Sequence, residues 1–296
     1  MKDYEILGID IGNCTTKTST GIIFDSKITD IEPLGKSDML FMDKKTYWLG
    51  EGNYDTTYKK VDKQSYLKLL YGAIGLSEQS SNKIINNCIV LGLPLSQFKE
   101  DKMSLVNMVL ANREKIIRIN NTEKQIIIQD VEVFPEGVVT LPDDYEGIVI
   151  DIGGRTTDCA LVVNERGRRR VLNPISLPTG TINLYKDFIN KVNNKFSLDL
   201  GMNDAERLML NGLYLDGKRT NINFAVEVYK QFVDSLISRL QVEYSLRTNR
   251  ISLTGGGALL VYEQIRDRLG DGVTLQDRPT LANARAYYEL GCSIWQ

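Results

Sequence analysis

One local pattern occurs twice in the chain. An apolar run ends in Asp-x-Gly, a short turn of small and hydroxyl residues follows, and a second run leads away. The first copy is Tyr4-Glu-Ile-Leu-Gly-Ile-Asp10-Ile-Gly12-Asn13-Cys14-Thr15-Thr16-Lys17. The second is Gly147-Ile-Val-Ile-Asp151-Ile-Gly153-Gly154-Arg155-Thr156-Thr157-Asp158. The two aspartates stand 141 residues apart in a chain of 296. A period of about half the chain means duplication of a whole domain, not stacking of short repeats. Length points the same way, since a single compact unit is ordinarily nearer ~150 residues.

Each copy reads as a strand, a tight turn and a return strand. In the first, the strand ends at Asp10 and the return runs from Lys17 to Phe24. Further along, Phe224, Val228, Phe232, Leu236 and Leu240 recur every four residues, predicting a long buried helix over 224–240 whose task is packing. Ile251–Thr254 predicts a strand broken by Gly255-Gly256-Gly257, with helices over 259–269 and 281–290. Residues 25–75 are polar and glycine-punctuated and read as a small irregular insertion; 197–220 read as a shorter one.

Composition removes several chemistries. Histidine is absent, which excludes an imidazole base, a Ser–His or Cys–His nucleophile and a His-bound metal. Lys plus Arg number 36 against 38 Asp plus Glu, a net charge of -2, so direct DNA binding by a broadly basic surface is not expected. Cys14, Cys88, Cys159 and Cys292 form no CxxC pair and read as reduced thiols filling space. The charged start Met1–Asp10 lacks the apolar core of a signal peptide, and no apolar run reaches the ~18 residues of a membrane span. The expectation is a cytoplasmic protein with no membrane partner.

The paired turns carry the chemistry. Glycine lets backbone N–H groups face a ligand, and arrays of such groups bind phosphate oxygens. Thr15, Thr16, Thr156 and Thr157 add neutral donors, and Lys17 a positive charge. Aspartates beside phosphate repel it unless a divalent cation lies between, and Mg2+ held through its waters by Asp10 and Asp151 fits that need. Gly255–Gly257 after a strand and before a helix admits a flat ligand close to backbone, beside free helix N–H groups. Arg166, Arg168, Arg169 and Arg170 crowd a hairpin tip, which reads as solvated, with a subunit or acidic contact as the alternative.

The ordered segments Ile9–Lys17, Phe134-Pro135-Glu136-Gly137, Ile150–Asp158 and Leu253–Ala258 together resemble the actin, Hsp70 and sugar-kinase superfamily. Within it the chain is most similar to plasmid-segregation actins of the ParM type. Leu91–Ser96, Leu177–Asn183, Asp204–Leu208 and Ala282–Gly291 extend the likeness along nearly the whole chain.

The resemblance implies a two-domain α/β actin-like fold, a duplicated ribonuclease H-like unit with a five-stranded core in each half and nucleotide in the cleft between them. The implied division is 1–146 plus 283–296, and 147–282. Asp10, Gly12, Asn13, Cys14, Thr15, Thr16 and Lys17 match the first phosphate motif, and Asp151, Gly153, Gly154, Arg155 and Thr156 the second. Gly255, Gly256 and Gly257 match the adenosine motif; Gly180, Glu206 and Arg207 fall at further nucleotide positions. Glu136 matches the residue that orients the attacking water, and Glu136 with Asp151 forms the implied catalytic pair. The cofactors are ATP, with GTP as the alternative, and Mg2+.

The implied activity is a filament-coupled, Mg2+-dependent ATP hydrolase. Subunits add head to tail, and a DNA-binding adaptor links the filament to plasmid DNA. Composition and periodicity do not show polymerisation; that step rests on family likeness. A small-molecule kinase and a non-polymerising ATP-driven activator remain as alternatives on the same fold. No additional acceptor-binding aspartate motif favours the kinase, and no cysteine set for an iron–sulfur cluster favours the activator.

Overall fold

A computed structural model describes residues 4–78 and 83–296. Met1–Asp3, part of the charged start read above, lie outside the described residues. Strand β1 (Glu5–Ile11) is the expected first strand, and its last five residues are buried. The return is shorter than the sequence suggests. β2 (Thr15–Thr18) ends at a turn where Gly21 takes a φ of +92°, and β3 (Ile23–Asp25) runs back beside it. Hydroxyl chemistry explains the break: the Ile22 N–H donates to Thr18 Oγ1 at 3.2 Å, closing a turn inside the expected strand.

Residues 25–75 depart further from expectation. They form β4 (Lys27–Thr29), β5 (Asp38–Met42), β6 (Lys45–Tyr54), a 3-10 turn at Lys60–Asp62 and helix α1 (Tyr66–Ser77). Leu40, Met42, Leu49, Tyr66, Leu69, Leu70 and Ile74 are buried in one core with Leu7 and Ile9 of β1. The segment is therefore part of the first half's core. Its outward-facing polar residues and glycines obscure the apolar alternation in the sequence.

With β7 (Ile84–Leu93), helix α2 (Leu95–Ala111), β8 (Glu114–Ile119) and β9 (Thr122–Pro135), the first sheet has nine strands in the order β3-β2-β1-β7-β9-β8-β5-β6-β4. Its terminal strands β3 and β4 are separated in sequence only by Ser26, and β3 also contacts β6. The sheet thus curls back on itself.

The second half begins with β10 (Gly147–Ile152), β11 (Thr157–Glu165) and β12 (Arg168–Leu177), followed by helices α3 (Thr181–Phe196) and α4 (Asp204–Asn211). A small hairpin, β13 (Leu213–Leu215) and β14 (Lys218–Thr220), orders part of the expected shorter insertion. Helix α5 (Glu227–Glu243), β15 (Ile251–Thr254), α6 (Ala258–Leu269) and β16 (Val273–Leu275) complete this half. The expected helix over 224–240 starts later, because 223–226 form a 3-10 turn that leaves Phe224 exposed; Val228, Phe232, Leu236 and Leu240 are buried as the spacing predicts.

The second sheet runs β12-β11-β10-β15-β16. Two antiparallel steps are followed by two parallel ones, the same sequence of pairings as β3-β2-β1-β7-β9. The duplication inferred from two Asp-x-Gly turns is thus a duplicated five-stranded core, which the first half extends with four more strands. The fold is the two-domain actin-like α/β architecture.

Helix α7 (Ala282–Trp295) runs five residues beyond its expected end and packs on β1 and β7. The approach is close. A Cβ at Gly8 would stand 2.6 Å from the Tyr288 nitrogen, so only glycine admits the helix there. Cys88 and Cys159 are buried, and Cys14 and Cys292 half-buried. Among the described residues no helix is long and apolar enough to cross a membrane.

Candidate functional site

The two turns are copies down to their hydrogen bonds. Gly12 N–H donates to the Thr15 carbonyl at 3.1 Å and Gly153 N–H to the Thr156 carbonyl at 2.9 Å. Each closes a two-residue loop, Asn13-Cys14 in one half and Gly154-Arg155 in the other. Across each hairpin the aspartate has a fixed partner: Asp10 stands opposite Lys17, and Asp151 opposite Asp158. The loop N–H groups of Asn13, Cys14, Gly154 and Arg155 find no backbone acceptor among the described residues. Such groups are available to an anion.

The turns face each other. Cys14 packs directly on Gly154, where any Cβ would overlap its sulfur. Behind the second turn, the Thr181 and Ile182 N–H groups at the start of α3 donate to the Gly153 and Gly154 carbonyls at 3.0 and 2.9 Å.

Between the turns lies a cavity of about 50 Å3 lined by Asp10, Asp151, Asp158, Glu136, Lys17 and Lys60, among others. Gly12, Asn13, Cys14, Thr15, Gly153, Gly154, Thr156, Gly255 and Gly256 share this lining. A second cavity of about 490 Å3 adjoins it through Cys14, Thr15, Lys17, Gly153, Gly154 and Gly256, and adds Gly257 and Glu206. Its volume is in the range of small-ligand sites, and its walls mix Tyr54, Tyr185, Ile182 and Leu260 with Asp25, Lys27 and Asn203. Gly255 takes a φ of +85°, and a Cβ there would stand 2.9 Å from the Ile152 carbonyl carbon, so the cleft wall needs glycine.

The remaining expected residues lie elsewhere. Thr16 is buried and bonded to Ser26 Oγ at 2.9 Å. Gly180 lines neither cavity; it lets α3 approach the second turn. Arg155 donates to the Thr56 carbonyl at 2.8 Å and lines a separate cavity of about 290 Å3 with Asn13, Gln97 and Lys186. Arg207 pairs with Asp204 at 2.8 Å and lines none of these spaces. At the arginine-rich hairpin tip, Arg166, Arg168 and Arg170 are exposed; Arg170 pairs with Glu165, while Arg169 donates to the Leu141 and Pro142 carbonyls.

Comparison with known proteins agrees with this geometry. The family of actin-like proteins N-terminal domains matches residues 8–138, and the family of archaeal actin homologue MreB-like C-terminal domains matches 149–267. The chain belongs to the actin-like proteins. No curated protein sequence matches it. Among solved structures, a non-polymerisable quadruple mutant of pCBH ParM is 20% identical over 97% of this chain and 99% of that one, with a TM-score of 0.79. A 15-stranded ParM filament from Clostridium botulinum is 20% identical over 98% and 99% of the two chains, also with a TM-score of 0.79. The archaeal actin homolog Ta0583 in complex with ADP is 19% identical over 96% and 98%, with a TM-score of 0.79.

The electrostatics of this actin-like site balance acid against base. Burial pushes the Glu136 carboxyl up to about 7; Lys60 opposes the shift, while Asp10 and Asp158 add to it. Burial likewise raises Asp151 to about 6, against a hydrogen bond from Asn283. Asp10 goes the other way: burial acts to raise it, but the Lys17 and Lys60 ammonium groups together hold it below its usual value. Lys17 donates to Asp10 Oδ2 at 3.1 Å, and Lys60 pairs with Glu136. Lys63, lowered to about 8 by burial and by Lys60, donates to Asn13 Oδ1 at 2.6 Å.

Carboxylates contributed by both turns, with the Lys17 and Lys60 ammonium groups paired beside them, suit a hydrated Mg2+ and phosphate. Among the described residues no cluster of three or more acidic or cysteine ligands forms a protein cage. A hydrated Mg2+ needs no such cage, because it keeps several of its waters.

Sequence reasoning missed Lys60 and Asn283. Lys60 comes from the segment read as irregular, and Asn283 was only one letter of a helical motif. Asp158 stood in the quoted pattern without a role; Ser176 and Thr156 hydroxyls donate to it, the latter at 3.1 Å.

Proposed function

We propose that the chain is a nucleotide-dependent, polymerising actin-like ATPase. The observation that carries this reading is the convergence of Asp10, Asp151, Glu136, Lys17 and Lys60 from the two halves and the crossover between them on one cavity, beside a larger one walled by glycine. Turn N–H groups of Asn13, Cys14 and Gly154, which line the smaller cavity, bind the phosphate oxygens of ATP, or of GTP in its place. The larger cavity holds the nucleoside, with Glu206 on its wall. Asp10 and Asp151 would hold Mg2+, which would supply neutralisation of charge on the phosphates.

Glu136 orients the attacking water and takes its proton, a role suited to a carboxyl whose pKa is near 7. Lys60 and Gly92 restrain it: Lys60 Nζ donates both to Glu136 and to the Gly92 carbonyl, at 3.3 Å for the latter. Ligand bridging the two turns draws the halves together, and the closed form adds to a second copy head to tail, a contact that does not close on itself. The relatives solved as filaments support this step. A DNA-binding adaptor would connect the filament to plasmid DNA.

Phosphate release measured with and without Mg2+ tests the site. Wild-type protein should release phosphate from ATP only with Mg2+, and Asp151→Ala should abolish release while circular dichroism stays unchanged. Equal turnover by the variant contradicts the assignment. Phosphate transfer to a small hydroxyl compound in place of water would favour the kinase alternative.

A further inference from the structure

The helix that closes the chain sends one polar side chain to the junction of the two halves. Asn283, in the first turn of α7, is only 7% exposed and lines the cavity between the Asp-x-Gly turns. Its Oδ1 accepts the Gly137 N–H at 2.9 Å, and its Nδ2 donates to Asp151 Oδ2 at 2.9 Å. The orientation follows from chemistry. A backbone N–H can only donate, so the amide oxygen faces Gly137 and the amide nitrogen is left for the carboxylate.

Three segments meet at this amide. α7 is docked on β1 and β7 of the first sheet. Asp151 belongs to β10 of the second. Gly137 follows Glu136 in the crossover between them and has a φ of +74°; a Cβ there would lie 3.1 Å from the Asp151 Cβ. Downstream, Val138 and Leu141 pack against Val149, Ala160 and Val162 of the second half. The backbone that carries Glu136 therefore rests on Asp151, and Asn283 is hydrogen-bonded to both.

We propose that Asn283 is a positioning residue that locks the Asp151 carboxylate to the Glu136–Gly137 loop, setting where the cation-holding group stands relative to the water-orienting one. This rests on the nucleotide reading of the cleft. An apolar side chain of similar size would fill the space and make neither bond. A serine is too short to make both. Either leaves the Asp151 carboxylate free to turn while the phosphate-binding N–H groups are untouched. The consequence is specific: Mg2+ use and turnover suffer, and nucleotide affinity without Mg2+ does not.

The test uses full-length wild type, Asn283→Leu and Asn283→Ser. Melting temperature checks folding, a fluorescent ATP analogue reports affinity in Mg2+ and in EDTA, and phosphate release is followed across a Mg2+ titration. Loss of an outer partner of a metal-holding group typically costs about 10–100-fold in metal affinity or activity. The expected result is a loss of that order in kcat and a matching rise in half-saturating Mg2+, with KM in saturating Mg2+ and affinity in EDTA within about twofold of wild type. Folded variants with wild-type kcat and Mg2+ dependence overturn the proposal. So does an equal loss of affinity with and without Mg2+, which marks a packing defect. Wild-type protein that binds no nucleotide in either condition removes the nucleotide reading itself, an outcome distinct from both.

Discussion

Lys60 reaches Glu136 across 76 residues of chain and sits almost wholly buried beneath it. Its backbone is held as well: the Lys60 N–H donates to Gln97 Oε1 at 3.1 Å, and Gln97 Nε2 to the Tyr58 carbonyl at 3.0 Å. A buried ammonium persists only if paired, and the neighbouring carboxylates hold the Lys60 pKa above its usual value in spite of burial. The carboxyl assigned to water orientation is thus tethered from below.

Replacing that tether exposes its role. In Lys60→Met, Glu136 keeps its burial and its two acidic neighbours but loses the only cation paired with it among the described residues. Its pKa should move above about 7, so the pH of half-maximal phosphate release should rise and turnover at neutral pH should fall. Stripping one partner from a buried pair typically costs about 3–5 kcal/mol, read as a lower melting temperature. A pH profile identical to wild type would show that the pair does not govern the reacting group.

Glu136→Gln preserves shape and removes the proton acceptor. Turnover should drop by ~10² to 10⁴. Binding of a fluorescent ATP analogue should persist, and filaments should last longer because hydrolysis no longer destabilises them. The rise in rate through about pH 7 should disappear with the carboxylate. Single-turnover phosphate release and filament lifetime after dilution are the two readouts.

Ligand-free stability should fall as pH rises through the neutral range. Glu136 is raised from 4.5 to about 7 and Asp151 from 3.8 to about 6, so the folded state binds these protons more tightly than the unfolded chain. The stability they contribute is complete below about pH 4 and is lost as pH passes 6 and then 7. Asp10, with its lowered pKa, acts with the opposite sign but only at more acidic pH. Melting curves from pH 5 to 8 should slope downward in wild type and be flatter in Asp151→Asn. A wild-type slope retained in full by that variant would contradict the burial argument.

Tyr66 and Tyr287 carry fully buried hydroxyls with no hydrogen-bond partner among the described groups. An unsatisfied buried hydroxyl typically costs about 1–3 kcal/mol. Tyr66→Phe and Tyr287→Phe should therefore be neutral or stabilising by up to about 1 kcal/mol, whereas most large core substitutions destabilise. Urea unfolding midpoints measure this, and a loss above that size would show that each hydroxyl has a structural task.

The parts of the molecule legible in advance are those whose signal is local. The two Asp-x-Gly hairpins announce themselves through strand period and turn chemistry, and their registers place Asp10 opposite Lys17 and Asp151 opposite Asp158. The stripe Val228, Phe232, Leu236 and Leu240 is likewise contained within one helix. What escaped depends on distant chain. Lys60 is a lone lysine in a polar stretch, and only the packing of Tyr66, Leu69 and Leu70 into the β1 core brings it under Glu136. Asn283 has no meaning in sequence until α7 docks on β1 and β7. Thr16, by contrast, belongs to the first motif yet points into the core, since alternation along β2 turns Thr15 and Lys17 to the cavity and Thr16 away.

The most direct test is right-angle light scattering of the purified protein on adding Mg-ATP, set against Mg-ADP and no nucleotide. The account predicts a rise with Mg-ATP alone that decays as phosphate accumulates. A flat trace at every protein concentration, in protein that still hydrolyses ATP, would contradict polymerisation and leave an actin-like ATPase that acts without filaments.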